Sequence, residues 1–379
     1  MRLENGQVYC PDGVFRRGTL HVEGGVFVEA SAPGPVFDAE GLTLIPGLTD
    51  VHFHGCMGRD RCEGTEAAIQ AIADYEESAG VTTLCPATMT LPEGRLIEIV
   101  SAAGRFSGET GAALVGIDME GPFISLEKRG AQNPRYIRRP DAALFERVRE
   151  ASGGLVKIVT VAPEVEGAME FIDRERDRAI LSIAHTACDY DTAREAFARG
   201  ARHVTHLYNA MPPMGHREPG PILAALERDD VTIELICDGV HVHPAVIRNT
   251  LRMFGKDRVI FISDSMEATG MPDGRYTLGE LPVVKRGNRA LLSDGTIAGS
   301  VTDLMGCLRT AVLGMGVPLE TAVRCAAVNP ARLIGIHDRY GSLEPGRVAN
   351  LVALDKELNV VMVLNRGRVR PPRSADTPS

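Results

Sequence analysis

The chain contains no run approaching the ~18 consecutive apolar residues that span a bilayer, and Met1-Arg2-Leu3-Glu4-Asn5-Gly6 is not followed by the apolar core of a signal peptide. The expectation is a cytoplasmic protein with no membrane partner. Positive charge is also scarce: 41 Lys and Arg against 50 Asp and Glu leave a formal net charge of −9. That balance argues against nucleic acid or an acidic membrane surface as a broad partner, so an anionic substrate would need a local positive group. The eight cysteines, Cys10, Cys56, Cys62, Cys85, Cys188, Cys237, Cys307 and Cys325, include no C-x-x-C pair. A chain of 379 residues needs no disulfide staples, and reduced thiols are expected. Cys85 and Cys237 end apolar runs and read as small buried fillers rather than nucleophiles or ligands. Internal repeats are absent as well.

What is present is a globular composition, 44% hydrophobic and 24% charged, in a chain long enough for one barrel-sized domain with a modest appendage. Near the start, Thr19–Val22 and Val26–Glu29 flank Gly24-Gly25, and Pro33-Gly34-Pro35 follows. This is the pattern of small antiparallel strands. From Thr49 short β-branched runs alternate with longer amphipathic stretches. The strand candidates are Thr49–His54, Thr82–Cys85, Ala113–Glu120, Leu155–Ala162, Ile180–His185, His203–His206, Thr232–Asp238 and Arg258–Asp264. Eight βα units predict a (β/α)8 barrel over residues 48–344. Beyond it, Ala349–Leu354, Val360–Leu364 and Arg368–Arg370 are again short strands. They are expected to join the N-terminal ones in a small β-sandwich made of residues 1–47 and 345–379, with Pro371–Ser379 as a flexible tail.

The chemistry-bearing residues cluster on these strand ends. In His52-Phe53-His54 the two-residue repeat of a strand points both imidazoles to one side. Alone, such a pair is weak evidence. Glu120, His185, His206 and Asp264, however, fall at the carboxyl ends of four other candidate strands, the end at which barrel active sites are assembled. Two imidazoles and a carboxylate suffice to hold a catalytic zinc or ferrous ion with a position open for water. Such a site can supply hydroxide, stabilise an oxyanion and deliver a proton to a leaving group.

Seven segments carry a family resemblance. They are Pro46–Gly55, Glu120-Gly121-Pro122-Phe123, Ala184-His185-Thr186, Thr205–Met211, Arg217-Glu218-Pro219-Gly220, Asp238–Val242 and Ser263-Asp264-Ser265. In order along the chain they resemble the N-acetylglucosamine-6-phosphate deacetylases of the amidohydrolase superfamily. H-x-H by itself marks the superfamily; the segments around His206 and Arg217 are specific to the deacetylases. The resemblance implies that Glu120, His185 and His206 hold the main divalent metal and that His52 and His54 can hold a second, with Glu120 bridging. It implies Asp264 as catalytic acid/base beside the metal. Asn209, the backbone of Ala210 and Arg217 would lie near the sugar phosphate, and His241, in the Asp238–Val242 segment, at the acetyl carbonyl. Asp238, Ala131, Gln132, Ile297, Ala298 and Gly299 match further substrate-side positions. Zinc is the expected metal, with iron, cobalt and manganese as alternatives. Relatives of this kind are homodimers in which the arginine matching Arg217 reaches the neighbouring site. One departure stands out: many relatives have His where this chain has Gln132, which puts a sugar-hydroxyl contact there in doubt.

The same residues bear on other functions. A cyclic-amide hydrolase of the dihydropyrimidinase kind bridges its metals with a carboxylated lysine on the fourth strand. Here Lys157 stands near that strand's start, not its carboxyl end. A deacetylase for the galactosamine epimer differs by one inverted hydroxyl, which the sequence does not resolve. A non-catalytic sugar-phosphate sensor would tolerate loss of the ligands or the acid/base, yet none is missing. His216 and His243 read as exposed loop residues, and His21 and His337 fall outside the strand-end pattern.

Overall fold

The computed structural model describes residues 1–370; the tail expected from Pro371 lies outside the described residues. Each of the eight strand candidates coincides with observed parallel β-structure. Ile117–Met119, Val156–Val161, Ile180–Ile183, His203–Val204, Thr232–Ile236 and Val259–Ile262 pair in sequence order, all parallel. Leu48–Asp50, Val81–Leu84 and Ala113–Leu114 form a second parallel set. The residues read as one strand from Ala113 to Glu120 are two. The first pairs with Val81–Leu84 and the second with Val156–Val161, so the segment changes partner at Val115-Gly116. A parallel bridge between Ala87 and Asp118 links the two sets, and Asp264 N–H donates to the His52 carbonyl at 3.0 Å, linking last strand to first. The result is a curled parallel sheet.

Why these segments form such a sheet is visible in their side chains. Val259-Ile260-Phe261-Ile262 is buried throughout, as is Ile180-Leu181-Ser182-Ile183. Continuous β-branched runs without polar alternation suit strands covered on both faces. The covering helices start on their own caps: Thr65, Asp141 and Asp189 accept backbone N–H groups at the starts of Glu66–Ser78, Ala142–Ala151 and Tyr190–Arg199. Such caps stabilise a helix by about 1 kcal/mol each.

The chain ends meet in one eight-stranded sheet. Arg368–Arg370, Val360–Asn365, Leu351–Leu354, Thr43–Pro46, Arg2–Tyr9, Phe15–Glu23 and Val26–Val28 follow one another across it, and Val36–Asp38 pairs with Arg2–Tyr9. Leu351–Leu354 runs antiparallel to Thr43–Pro46, which fastens the C-terminal strands to the N-terminal ones. Leu3, Val22, Phe27, Leu44, Leu351 and Leu364 form an apolar cluster of their own there. A feature not anticipated is the antiparallel meander Gly274–Leu278, Leu281–Arg286 and Arg289–Leu291 after the last parallel strand. It matters because Leu278 and the turn after Leu291 reach the functional cleft.

Candidate active site

Every expected metal ligand stands just past the carboxyl end of a parallel strand: His52 and His54 after Leu48–Asp50, Glu120 after Met119, His185 after Ile183, His206 after Val204 and Asp264 after Ile262. Here the backbone leaves the sheet sharply. His185, His206 and Asp264 take φ of 44°, 32° and 50°, a left-handed conformation that costs a non-glycine residue on the order of 1–3 kcal/mol and is concentrated at functional sites. Directly after Glu120, Gly121 has φ 74°, and a Cβ there would lie 2.1 Å from Thr90 Oγ1. Only glycine lets the chain pass at that point.

The turns bring the side chains together. His185 Nε2 and His206 Nε2 lie 3.0 and 3.2 Å from Glu120 Oε1 and 3.2 Å from each other. On the other side, His54 Nε2 is 3.6 Å from Glu120 Oε2 and 3.3 Å from Asp264 Oδ1, and His52 Nε2 is 3.6 Å from Glu120 Oε1 and 3.7 Å from Asp264 Oδ1. Glu120 thus faces both histidine pairs. Its outer neighbours set the tautomers. His185 Nδ1 meets the Lys128 carbonyl at 3.0 Å and His52 Nδ1 meets Asp118 Oδ2 at 2.9 Å. Because both oxygens accept, each Nδ1 donates, and in the neutral ring the inward Nε2 carries a lone pair.

Electrostatics point the same way. Burial pushes the Glu120 carboxyl up, but the charge of His52 and the hydrogen bonds of His185 and His206 hold it well below the usual carboxylate range. Asp264 is likewise lowered: burial opposes, and His54, His52 and His206 prevail. Carboxylate oxygens and imidazole nitrogens aimed at one another, with His52 Nε2 buried and lacking a hydrogen-bond partner among the described residues, leave a buried site that a cation satisfies. An uncompensated buried charge costs several kcal/mol. Among the described residues three groups of three ligand atoms are close enough to hold an ion: Glu120 with His185 and His206, His52 with His54 and Glu120, and, beneath these, His52 with Asp118 and Glu234. The residues therefore fit a divalent metal.

The cluster opens into a cleft of about 310 Å³. Of the residues expected on the substrate side, Ala131, Gln132, Asn209, Ala210, His241, Ile297 and Gly299 line it; Met89, Gly130, Leu278 and Thr296 were not anticipated. Ala298 is fully buried and does not line the cleft. Asp238 stands behind it and holds His241, Oδ2 to Nδ1, at 2.7 Å. The Asn209 amide is turned back on the carbonyls of His206 and Leu207 at 3.2 and 3.4 Å. Arg217 is exposed and lines a separate cavity of about 500 Å³ beside Tyr190 and Pro212. A larger cavity, about 650 Å³, shares Asp238 with the site but reaches none of the metal-facing side chains. His216 and His243 are exposed, and His243 caps the helix Pro244–Phe254. Cys85 and Cys237 are buried, which raises their thiols well above the ordinary range.

Sequence reading missed the polar layer beneath the cluster. Glu234 joins His203 Nε2 at 2.9 Å and accepts the His206 backbone N–H at 3.1 Å, while Asp118 holds His52. Asp50 accepts the Ser263 hydroxyl and N–H, and burial raises its carboxyl to about 7. A signal existed: Asp50, Asp118 and Glu234 are acids inside strands, and Asp50 and Asp118 each precede a ligand by two residues.

Comparison with known proteins agrees with this geometry. The model of the amidohydrolase family matches residues 43–370. The N-acetylglucosamine-6-phosphate deacetylase of Bacillus subtilis (strain 168) is 37% identical over 86% of this chain and 84% of its own length. The N-acetylgalactosamine-6-phosphate deacetylase of Escherichia coli O157:H7 is 34% identical over 89% of this chain and 90% of its own. Among solved structures, a mutant N-acetyl-D-glucosamine-6-phosphate deacetylase of Mycobacterium smegmatis, in complex with N-acetyl-D-glucosamine-6-phosphate, superposes with a TM-score of 0.89 at 34% identity, covering 97% of this chain and 98% of that one. With strand-end histidines and carboxylates gathered around one cleft and this breadth of likeness, the chain belongs to the amidohydrolase family.

Proposed function

We propose that this protein hydrolyses the acetamide of N-acetylglucosamine 6-phosphate to glucosamine 6-phosphate and acetate, in amino-sugar catabolism or recycling. The observation that carries the reading is the convergence of His185, His206 and Glu120 beside the ionised Asp264, at the floor of a sugar-sized cleft. Relatives across nearly the whole chain that deacetylate phosphorylated amino sugars support it.

In this reading Glu120, His185 and His206 hold the principal metal, zinc before iron, cobalt or manganese, and His52 and His54 hold a second where one binds. A divalent cation held by these residues would lower the pKa of a water to roughly 7. Asp264 would take a proton from the attacking water and return it to the departing nitrogen, a contribution of about 10²- to 10⁴-fold. His241, oriented by Asp238, donates from Nε2 to the developing oxyanion. Ala131, Ile297 and Gly299 face the sugar, with Gln132 in the wall beside them and Ala298 buried behind, and Asn209, the Ala210 amide and Arg217 bind the phosphate. Arg217 lies outside the cleft of its own chain, which supports a homodimer in which it serves the partner's site. We further infer a closed (β/α)8 barrel over 48–344 with a β-sandwich domain from 1–47 and 345–379, and a cytoplasmic enzyme, which its eight cysteines outside any disulfide suit.

The test is steady-state kinetics on N-acetylglucosamine and N-acetylgalactosamine 6-phosphates with metal analysis of the same sample. Turnover of neither overturns the reading; a strong preference for the galactosamine substrate reassigns the epimer.

A further inference from the structure

Gln132 is 3% exposed and sits at the wall of the cleft. Its side-chain oxygen lies 2.7 Å from the Thr90 backbone nitrogen and its side-chain nitrogen 2.6 Å from Glu120 Oε2. The orientation of the amide is not interchangeable. Thr90 N–H only donates, so the oxygen must face it, which leaves the nitrogen to face Glu120 Oε2. The remaining Nε2 hydrogen is directed at Met89 Sδ, 3.7 Å away. No amide hydrogen is left for a sugar oxygen.

The two oxygens of Glu120 consequently have different duties. Oε1 faces the Nε2 atoms of His185 and His206. Oε2 is tied to Gln132, which is tied in turn to the backbone of Thr90. A carboxylate pinned at one oxygen cannot rotate its plane, and ligands held in this way bind metal more tightly than free ones.

We propose that Gln132 is a positioning residue for the metal ligand Glu120 and does not read the sugar; this rests on the metal-site assignment given under the proposed function. The linkage Thr90–Gln132–Glu120 sets the carboxylate plane before metal arrives.

The test titrates Zn²⁺ into metal-free wild-type protein, Gln132→Met and Gln132→Asn in competition with a chromophoric chelator. Methionine keeps the length and removes both hydrogen bonds; asparagine keeps the amide but is one methylene too short to span Thr90 and Glu120. Melting of the metal-free forms establishes that each is folded, and the shorter variant carries the test should the other not fold. The Zn²⁺ dissociation constant is expected to rise about 10- to 100-fold in both variants. With Zn²⁺ saturating, KM for the phosphorylated acetamido sugar should stay within about twofold, because the lost contact is to a ligand and not to substrate. Unchanged Zn²⁺ affinity overturns the proposal, whether KM is unchanged or raised; raised KM with kcat retained shows that Gln132 touches the sugar. If the wild-type protein deacetylates neither epimer, the proposed function falls, while the Zn²⁺ comparison still judges Gln132.

Discussion

Asp238 Oδ2 stands 2.7 Å from Nδ1 of His241, and the other oxygen of that carboxylate accepts the backbone N–H groups of Val240 and His241 at 2.9 Å each. The ring is held in one orientation, with Nε2 left for the cleft. Burial pulls its pKa down, yet the hydrogen bond and charge of Asp238, with the charge of Asp264, carry it above the ordinary histidine value. Since Nδ1 donates to Asp238, only the protonated ring has an Nε2 hydrogen to give an oxyanion. Activity is therefore expected to persist below the raised pKa and to fall as pH rises through it. Asp238→Asn removes the larger of the two raising influences, so the alkaline limb of its kcat/KM profile should move to lower pH. Superimposed alkaline limbs for the two proteins would count against this role.

Asp264 Oδ1 lies 3.3 Å from His54 Nε2, and its carboxyl is lowered by the surrounding imidazoles despite burial. It is thus ionised and ready to accept a proton at neutral pH. Asp264→Asn keeps the shape and removes the proton transfer, and should reduce kcat by at least about 10²-fold with metal content nearly unchanged. Near-normal turnover would remove the assignment.

Glu120→Ala or His185→Ala should empty the principal metal site, because each deletes one of three ligand atoms converging on a point. His52→Ala combined with His54→Ala should cost at most a second metal. Elemental analysis of the purified variants decides, and equal losses in both sets would mean that the principal ligands are misassigned.

Arg217 is exposed and not among the residues that line the cleft of its own chain. Arg217→Ala should lower kcat/KM for the 6-phosphate by roughly 1.5–3 kcal/mol, the worth of charged hydrogen bonds, and hardly alter the poor rate on the unphosphorylated sugar. If it acts across a dimer, mixing Arg217→Ala with Asp264→Asn should recover activity above the sum of the two, since a mixed dimer contains one site with both residues intact. Additive activities, or equal losses on both sugars, would assign Arg217 a structural part.

Much of the sheet was legible because parallel strands buried on both faces must be largely apolar, and a run such as Val259–Ile262 advertises itself. Their ends were overread by a few residues: Ile180–His185 and His203–His206 stop as strands at Ile183 and Val204. The ligands stand beyond those ends because left-handed backbone at His185 and His206 turns them out of the ladder. The meander from Gly274 to Leu291 went unread, since its short strands Leu281–Arg286 and Arg289–Leu291 alternate buried and exposed positions too briefly to be told from a polar loop.

The sequence by itself determined which residue types end which strands, because hydrophobic pattern and local spacing are properties of neighbours along the chain. The separation of Glu120's oxygens between His185 and His206 on one side and Gln132 on the other was not legible there. Nor was the return of Asn209 onto its own backbone, or the seat of Arg217 outside the cleft. Those depend on side chains brought together from distant strands and loops, whose directions are decided by left-handed turns and by the few hydrogen-bond partners that close packing leaves within reach. Only the tertiary structure makes that choice.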